Sequence, residues 1–287
     1  MLGESFSKEL KPYSRIKSSL IDECSGLVKS PSYANTYWTH NDSGDLARIF
    51  AIDENGKLIK SLFEIPAYKG ISILDAHNID WEDIAVDSKG NLILGAFGNN
   101  NNARKDLAIY VVPEPNPKQI DQTRSYHKIN FNYPDQNHYP PELNRNFDAE
   151  ALFSFRDHLY ILTKNRGNKK TGLYKFEELN PSQLNPLKKL EEFNIQGFVT
   201  AADYNKEKEI LAVLTYKAIW LFKFNKDTKE PLLSKAKAYK LETKDAKQCE
   251  GICFKSSNEL IISNEQQELF LVPVEEILVE KNFYPTR

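Results

Sequence analysis

One short pattern recurs along the chain and constrains its fold more than any other feature. It runs acidic or polar, then small or aromatic, then Glu, then small or acidic, then aliphatic. The copies are Glu23-Cys24-Ser25-Gly26-Leu27, Asp80-Trp81-Glu82-Asp83-Ile84, Asp148-Ala149-Glu150-Ala151-Leu152 and Gln248-Cys249-Glu250-Gly251-Ile252. A degenerate copy, Thr200-Ala201-Ala202-Asp203-Tyr204, falls between the third and the last of these. First positions at 23, 80, 148, 200 and 248 give intervals of 57, 68, 52 and 48 residues. A period of about 40–50 residues is that of a four-stranded propeller blade.

The residues after each copy support the same architecture. A second strand is predicted over Thr36–His40, Leu92–Phe97, Leu159–Thr163, Ile210–Tyr216 and Leu260–Ser263. A third, carrying an aromatic residue, follows over Ala47–Ile52, Leu107–Val112, Gly172–Phe176, Ala218–Phe224 and Leu269–Val272. These runs are rich in β-branched and aromatic residues and are bounded by Gly, Asn and Asp. Fourth strands are predicted at Leu58–Ile65, Tyr126–Phe131, Leu190–Ile195 and Ala236–Leu241. The fifth unit has none, because the chain ends soon after Val274; the N-terminal stretch Tyr13–Ile21 can supply it. Such closure removes open sheet edges. The expected fold is thus an all-β, five-bladed β-propeller closed by an N-terminal strand. A six-bladed ring is the alternative, with Asn116–Arg145 as the place where a sixth blade would hide. The whole chain, 1–287, is expected to be one domain, with 1–12 a flexible extension. Helix should be scarce, a turn or two at Glu177–Leu184 and Glu275–Glu280.

Composition narrows the function classes. With 38 basic and 40 acidic residues the formal charge is −2, so no electrostatic argument favours nucleic acid or an anionic membrane. No apolar run reaches the roughly 18 residues of a transmembrane helix. The segment MLGESFSKELKPYSRIKSSL has no apolar core of the signal-peptide kind. Loss of a signal peptide would place the protein in the periplasm or outside the cell; otherwise it is cytoplasmic. Cys24, Cys249 and Cys253 match no zinc spacing and are expected to be small buried thiols. A Cys24–Cys249 bridge is conceivable, since both occupy the same motif position in neighbouring units.

In a propeller the innermost strand of each blade runs along the axis, so the five motif copies converge on one mouth of the central channel. The loops between second and third strands open on the same face and are all polar: His40-Asn41-Asp42-Ser43-Gly44, 98–104, 164–167, Tyr216-Lys217 and Asn264-Glu265-Gln266. Two like charges about 4 Å apart cost on the order of 4 kcal/mol at an effective dielectric of 20. Carboxylates gathered at one mouth must therefore protonate, pair with Arg104, Lys164, Arg166 or Lys217, or share a hard cation. Oxygen-only donors suit Ca²⁺, and Mg²⁺ less well. The same acids could equally be structural, holding backbone N–H groups of adjacent blades, and Asn41-Asp42-Ser43-Gly44 is by itself an ordinary turn. Of the five histidines only His40 falls on this face.

Asn41-Asp42-Ser43-Gly44, Asp80-Trp81-Glu82-Asp83-Ile84-Ala85 and Gly98-Asn99-Asn100, with Arg104 and Ile109-Tyr110, together resemble motifs of a group of uncharacterised bacterial propeller proteins, many of them exported. The group is distantly similar to SdiA-regulated proteins and to the clan of gluconolactonases, paraoxonases, strictosidine synthase-like proteins and phytase-like esterases. That resemblance implies calcium-dependent hydrolysis of a small ester, lactone or phosphoester at the channel mouth. It implies Glu82, Glu150 and Glu250 as principal metal ligands, with Asn41, Asp42 and Asn100 as additions. Ser25 and Ala202 stand where two further Glu residues would be. In this scheme Asp80 or Asp148 serves as general base, and His40, Arg104, Lys164, Arg166 and Lys217 contact the substrate. The expected partner is a small molecule, and the expected state a monomer. The alternative is a non-catalytic propeller that binds a ligand or protein loop, with structural carboxylates.

Overall fold

The computed structural model describes residues 7–61, 68–143, 145–244 and 246–279. They form five sheets, antiparallel except for short parallel strands added at three outer edges, arranged as the five blades of a propeller. The innermost strands are Cys24–Lys29, Ile84–Val86, Ala149–Phe155, Val199–Asn205 and Cys249–Ser256, each touching the next around one axis. Second strands are Tyr37–Asn41, Leu92–Ala96, His158–Thr163, Ile210–Thr215 and Glu259–Asn264. Third strands are Arg48–Ile52, Ala108–Val112, Thr171–Lys175, Ala218–Lys223 and Glu268–Pro273. All fifteen overlap the predicted strands or directly follow the predicted motifs. The second strands are apolar almost throughout because both of their faces are covered. Outer strands such as Lys188–Phe193 are mostly polar because one side meets solvent.

The core is divided into five parts, one in each gap between neighbouring blades. Five gaps and five blades make a closed ring, so the six-bladed alternative is excluded. The fifth gap, between the last blade and the first, is filled by Ile16, Cys24, Tyr37, Phe50, Cys253 and Ile261. Closure also uses the N-terminal segment. Ser14–Arg15 pairs antiparallel with Glu268 and Leu269, flanked by bonds from Tyr13 N to Leu269 O (2.9 Å) and from Ile16 N to Gln267 O (2.7 Å). It supplies the missing fourth strand of the last blade.

Within the stretch 1–12, expected as an extension, Ser7–Glu9 forms a strand parallel to Glu242–Lys244 of the fourth blade, and Leu10 is buried. The long 80-to-148 interval hides no blade. Its Gln122–Thr123 pairs with Ile71–Ile73 of the first blade, and His127–Asn132 is the second blade's own outer strand. Asn185–Pro186 from the third unit adds to that strand in turn. Of the strand predicted at Leu58–Ile65, Leu58–Ile59 is observed and the part beyond Ser61 lies outside the described residues. Helix is limited to Val274–Ile277 and a 3-10 turn at Leu233–Lys235; residues 177–184 are not helical, and residue 280 is outside the described residues. None of the described helices is long and apolar enough to cross a membrane. All three cysteines are free and buried.

Candidate metal centre at the channel mouth

A β-bulge at the start of the inner strand turns the third motif residue toward the axis. The register slips at Glu150, at Thr200 and at Glu250, and at Gly26 beside Ser25. An inter-strand bond marks the first motif position in every blade: the carbonyls of Glu23, Asp80, Asp148, Phe198 and Gln248 accept the N–H of Asp42, Gly98, Lys164, Tyr216 and Glu265. The fourth copy is therefore Phe198-Val199-Thr200-Ala201-Ala202, two residues earlier than the sequence pattern indicated. Thr200, not Ala202, occupies the Glu position. The central ring reads Ser25, Glu82, Glu150, Thr200, Glu250. Its two neutral members donate to the next blade's backbone, Ser25 Oγ to Glu82 O (2.7 Å) and Thr200 Oγ1 to Cys249 O (2.7 Å).

The acids divide into two overlapping groups. One carboxylate oxygen from each of Asp42, Asp80 and Glu82 lies within 4.8 Å of the others; so does one from each of Glu82, Asp148 and Glu150. Glu82 belongs to both. Gly98 makes this crowding possible, since a Cβ there would sit 2.1 Å from Glu82 Oε1 and 2.5 Å from Asp80 Oδ2.

The second group is neutralised. Lys164, with only 6% of its side chain exposed, places Nζ 3.0 Å from Glu150 Oε1 and 2.9 Å from the Tyr216 hydroxyl. Arg166 Nε lies 3.0 Å from Asp148 Oδ2, and its Nη2 donates to Asn100 Oδ1 and sits 3.9 Å from Glu150. Asp148 also accepts the Asn99 N–H at 2.7 Å. The first group has no such support: among the described residues neither Asp42, Asp80 nor Glu82 makes an ion pair, and Glu82, 6% exposed, has no hydrogen bond to its carboxyl.

The electrostatics follow this division. Burial pushes Asp80 up to about 6, with Asp42 adding to it. Burial and then Glu150 push Glu82 well above the usual carboxylate range. Burial and Asp148 also push Glu150 up, with Lys164 pulling it back. Glu250 is raised to about 7 by burial, while Lys164 and a Tyr216 hydrogen bond oppose the rise. Burial works against the Lys164 charge, but Glu150 and Glu250 outweigh it, so the ammonium stays protonated.

The remaining candidates fall around this centre or away from it. Asn41 is spent on Leu20 O (2.8 Å) and Asp45 Oδ2 (2.7 Å). His40 is fully buried against the edge of Trp81, and burial lowers its pKa to about 4, so it is a neutral core residue out of reach of a ligand. Arg104 folds onto Gly98 O (2.6 Å) and Asp106 (3.1 Å). Lys217 is exposed on the turn after Thr215, and Asn100 is exposed beside Arg166. Glu250 approaches Lys164 and Tyr216 but joins neither close carboxylate group.

The sequence reading left two deeper acids without a role. Asp83 Oδ2 accepts the N–H of Leu152 (2.9 Å) and of Ala202 (3.2 Å), tying three blades together. Asp203 Oδ2 accepts Phe254 N (2.7 Å), tying the fourth blade to the fifth. Trp81 is fully buried between the first two blades, as core.

No family model matches the chain, and no curated protein matches it in sequence. Solved structures do. The PQQ-bound form of an aldose sugar dehydrogenase from Streptomyces coelicolor is 8% identical, with 93% of this chain and 99% of that chain covered and a TM-score of 0.50. A virginiamycin B lyase from Staphylococcus aureus is 14% identical, covering 88% of this chain and 67% of that one, with a TM-score of 0.43. A candidate gluconolactonase is 11% identical, covering 94% and 92%, with a TM-score of 0.44. At such identities the likeness is one of fold, and the chain is an all-β propeller whose channel mouth gathers acids from several blades.

Proposed function

We propose that this protein binds a divalent cation, calcium in the first instance, at Asp42, Asp80 and Glu82, and there hydrolyses a small ester, lactone or phosphoester. One observation carries the proposal: the buried Glu82 carboxyl has no partner among the described residues and stands within 4.8 Å of the carboxylates of Asp42 and Asp80, which no described ion pair neutralises, although Asp42 accepts the Ser43 N–H. Three like charges so close cost several kcal/mol unless a cation or protons intervene. The donor set is all oxygen, which fits a hard ion. A cation bound here supplies charge stabilisation for a developing oxyanion.

The chain's own groups would do the rest. Asp80 is the better of the two candidate bases, because Asp148 is already held by Arg166 and the Asn99 N–H. Asp80 would take a proton from attacking water through the carboxylate oxygen it does not give to the cation. Arg166, about a third exposed at the rim, is placed to hold a polar substituent of the ligand. Lys164 is enclosed and pairs with Glu150 rather than meeting the substrate.

A second proposal, a non-catalytic binding propeller with structural acids, is favoured by Asp83 and Asp203, which are spent on backbone N–H groups. Melting with calcium and with chelator separates the two. Calcium at 100 times its dissociation constant should add about 2.7 kcal/mol. Glu82→Gln should abolish that shift while keeping the circular dichroism of the parent. An identical melt with Ca²⁺, Mg²⁺ or Mn²⁺ and with chelator would remove the cation. A shift without turnover across lactones, aryl esters and phosphoesters would leave a binding protein.

A further inference from the structure

We infer that Lys164 is a built-in cation that limits the mouth to one divalent ion, and that removing its charge opens a second cation position on Glu82, Asp148 and Glu150. The inference rests on the cation proposal for Asp42, Asp80 and Glu82 and extends it to the stoichiometry of the site.

The two carboxylate groups are alike in spacing, each having three oxygens within 4.8 Å, and they share Glu82. They differ in what already balances them. Lys164 Nζ stands 3.0 Å from Glu150 Oε1, anchored by the Tyr216 hydroxyl at 2.9 Å and lying over the Tyr216 ring at 4.9 Å from its centroid. These contacts come from different blades, because Lys164 and Glu150 belong to the third and Tyr216 to the fourth. The ammonium thus lies against one member of the second group, Glu150, where its charge opposes the approach of an ion to Glu82, Asp148 and Glu150. A lysine is a compact point charge with three donors and serves this purpose well.

Taking that charge away leaves Glu150 buried, 2% exposed, with only Arg166 Nη2 at 3.9 Å. Asp148 keeps its Arg166 Nε contact at 3.0 Å through one oxygen. Glu82 already lacks a partner among the described residues and points into the gap. A buried carboxylate stripped of its cation is strongly destabilising unless another charge replaces it. A hard divalent ion bound by oxygen atoms meets that need.

Calcium titration of the intact chain by calorimetry tests this. The parent should bind one ion per chain, Lys164→Met two, and Lys164→Arg one. One ion in all three proteins overturns the inference and leaves the single-site proposal standing. No binding by the parent but one ion in Lys164→Met sinks the single-site proposal and overturns the one-ion limit, because Lys164 would then exclude every ion from the mouth. No binding by either sinks both. If Lys164→Met is too unstable to titrate, its melt is the readout. A rise with calcium larger than the parent's supports the second position, and a rise no larger than the parent's overturns it.

Discussion

At Gly98 the chain has to do without a side chain. A Cβ there would fall 2.1 Å from Glu82 Oε1 and 2.5 Å from Asp80 Oδ2, both at the ends of flexible side chains. Gly98→Ala should therefore displace the two carboxyls more than the fold. The expected outcome is at least a tenfold loss of calcium affinity by calorimetry, with a melting temperature in chelator within a few degrees of the parent. A collapse of the fold in chelator would mean that Gly98 serves packing and not the site. The residue scale is also where the sequence was least informative. Glu82, Glu150 and Glu250 look equivalent in the repeat, yet only Glu150 has Lys164 at 3.0 Å and only Glu82 stands unpaired among the described residues. That difference comes from residues at positions 98, 164 and 216, whose second-to-third strand loops differ in every blade. His40 shows the same limit: its loop is at the mouth, but its ring turns back under Gly26 and against Trp81.

Among the elements, the N-terminal strap bears most on the ring. Its pairing through Ser14–Arg15 buries Ile16 to 3% exposure and covers the edge of the last blade. Burial of one such side chain is worth about 1.5–3 kcal/mol. A chain starting at Lys17 should melt at least roughly 5 °C lower, whereas one starting at Lys11, which loses the parallel pairing of Ser7–Glu9 and the buried Leu10 but keeps Ile16 and the Ser14–Arg15 pairing, should lose less. Gly56 reports on the same contact, since it has φ +74° and a Cβ there would lie 2.4 Å from Arg15 O. Gly56→Ala should destabilise the full-length chain by roughly 1–2 kcal/mol through strain and this clash. The same substitution in the chain starting at Lys17 should cost less. Equal losses in both would show that the strap does not press on Gly56. The strand that completes the last blade was legible in the sequence because a closed ring demands it. The outer strand at Ser7–Glu9 was not, because three polar residues carry no periodic signal.

For the whole molecule, the balance of buried acids sets how stability varies with pH. In the fold Glu250 titrates at about 7 and Asp203 at about 6, both raised by burial above the ordinary 4.5 and 3.8. A raised carboxylate pKa means that the folded state holds the proton more tightly than the unfolded chain. The stability it contributes is complete below the ordinary value and is lost as pH rises through the folded one. With chelator present, the urea midpoint should fall between about pH 4.5 and pH 7, and Glu250→Gln should flatten part of that fall. A midpoint that rises steadily over this window would contradict the buried-acid account. Calcium should counter the loss, because it neutralises carboxylates that the fold leaves charged.

The sequence by itself determined the five repeats, the order of strands within each blade and the end of the channel where the acids gather, and the structure decided for five blades over six. These follow from period and polarity, which are properties of the chain taken a few residues at a time. Only the tertiary structure decided that Thr200 fills the fourth ring position, that Lys164 and Arg166 neutralise one group of acids, and that Asp42, Asp80 and Glu82 are left without an ion pair among the described residues. Bulges set the register in four of the five blades, and distances between blades set the charge balance at the mouth. Neither is written in the spacing of residues along one strand, because Coulomb energy depends on separations in space, which bring Glu82 beside Glu150 although they are 68 residues apart in the chain.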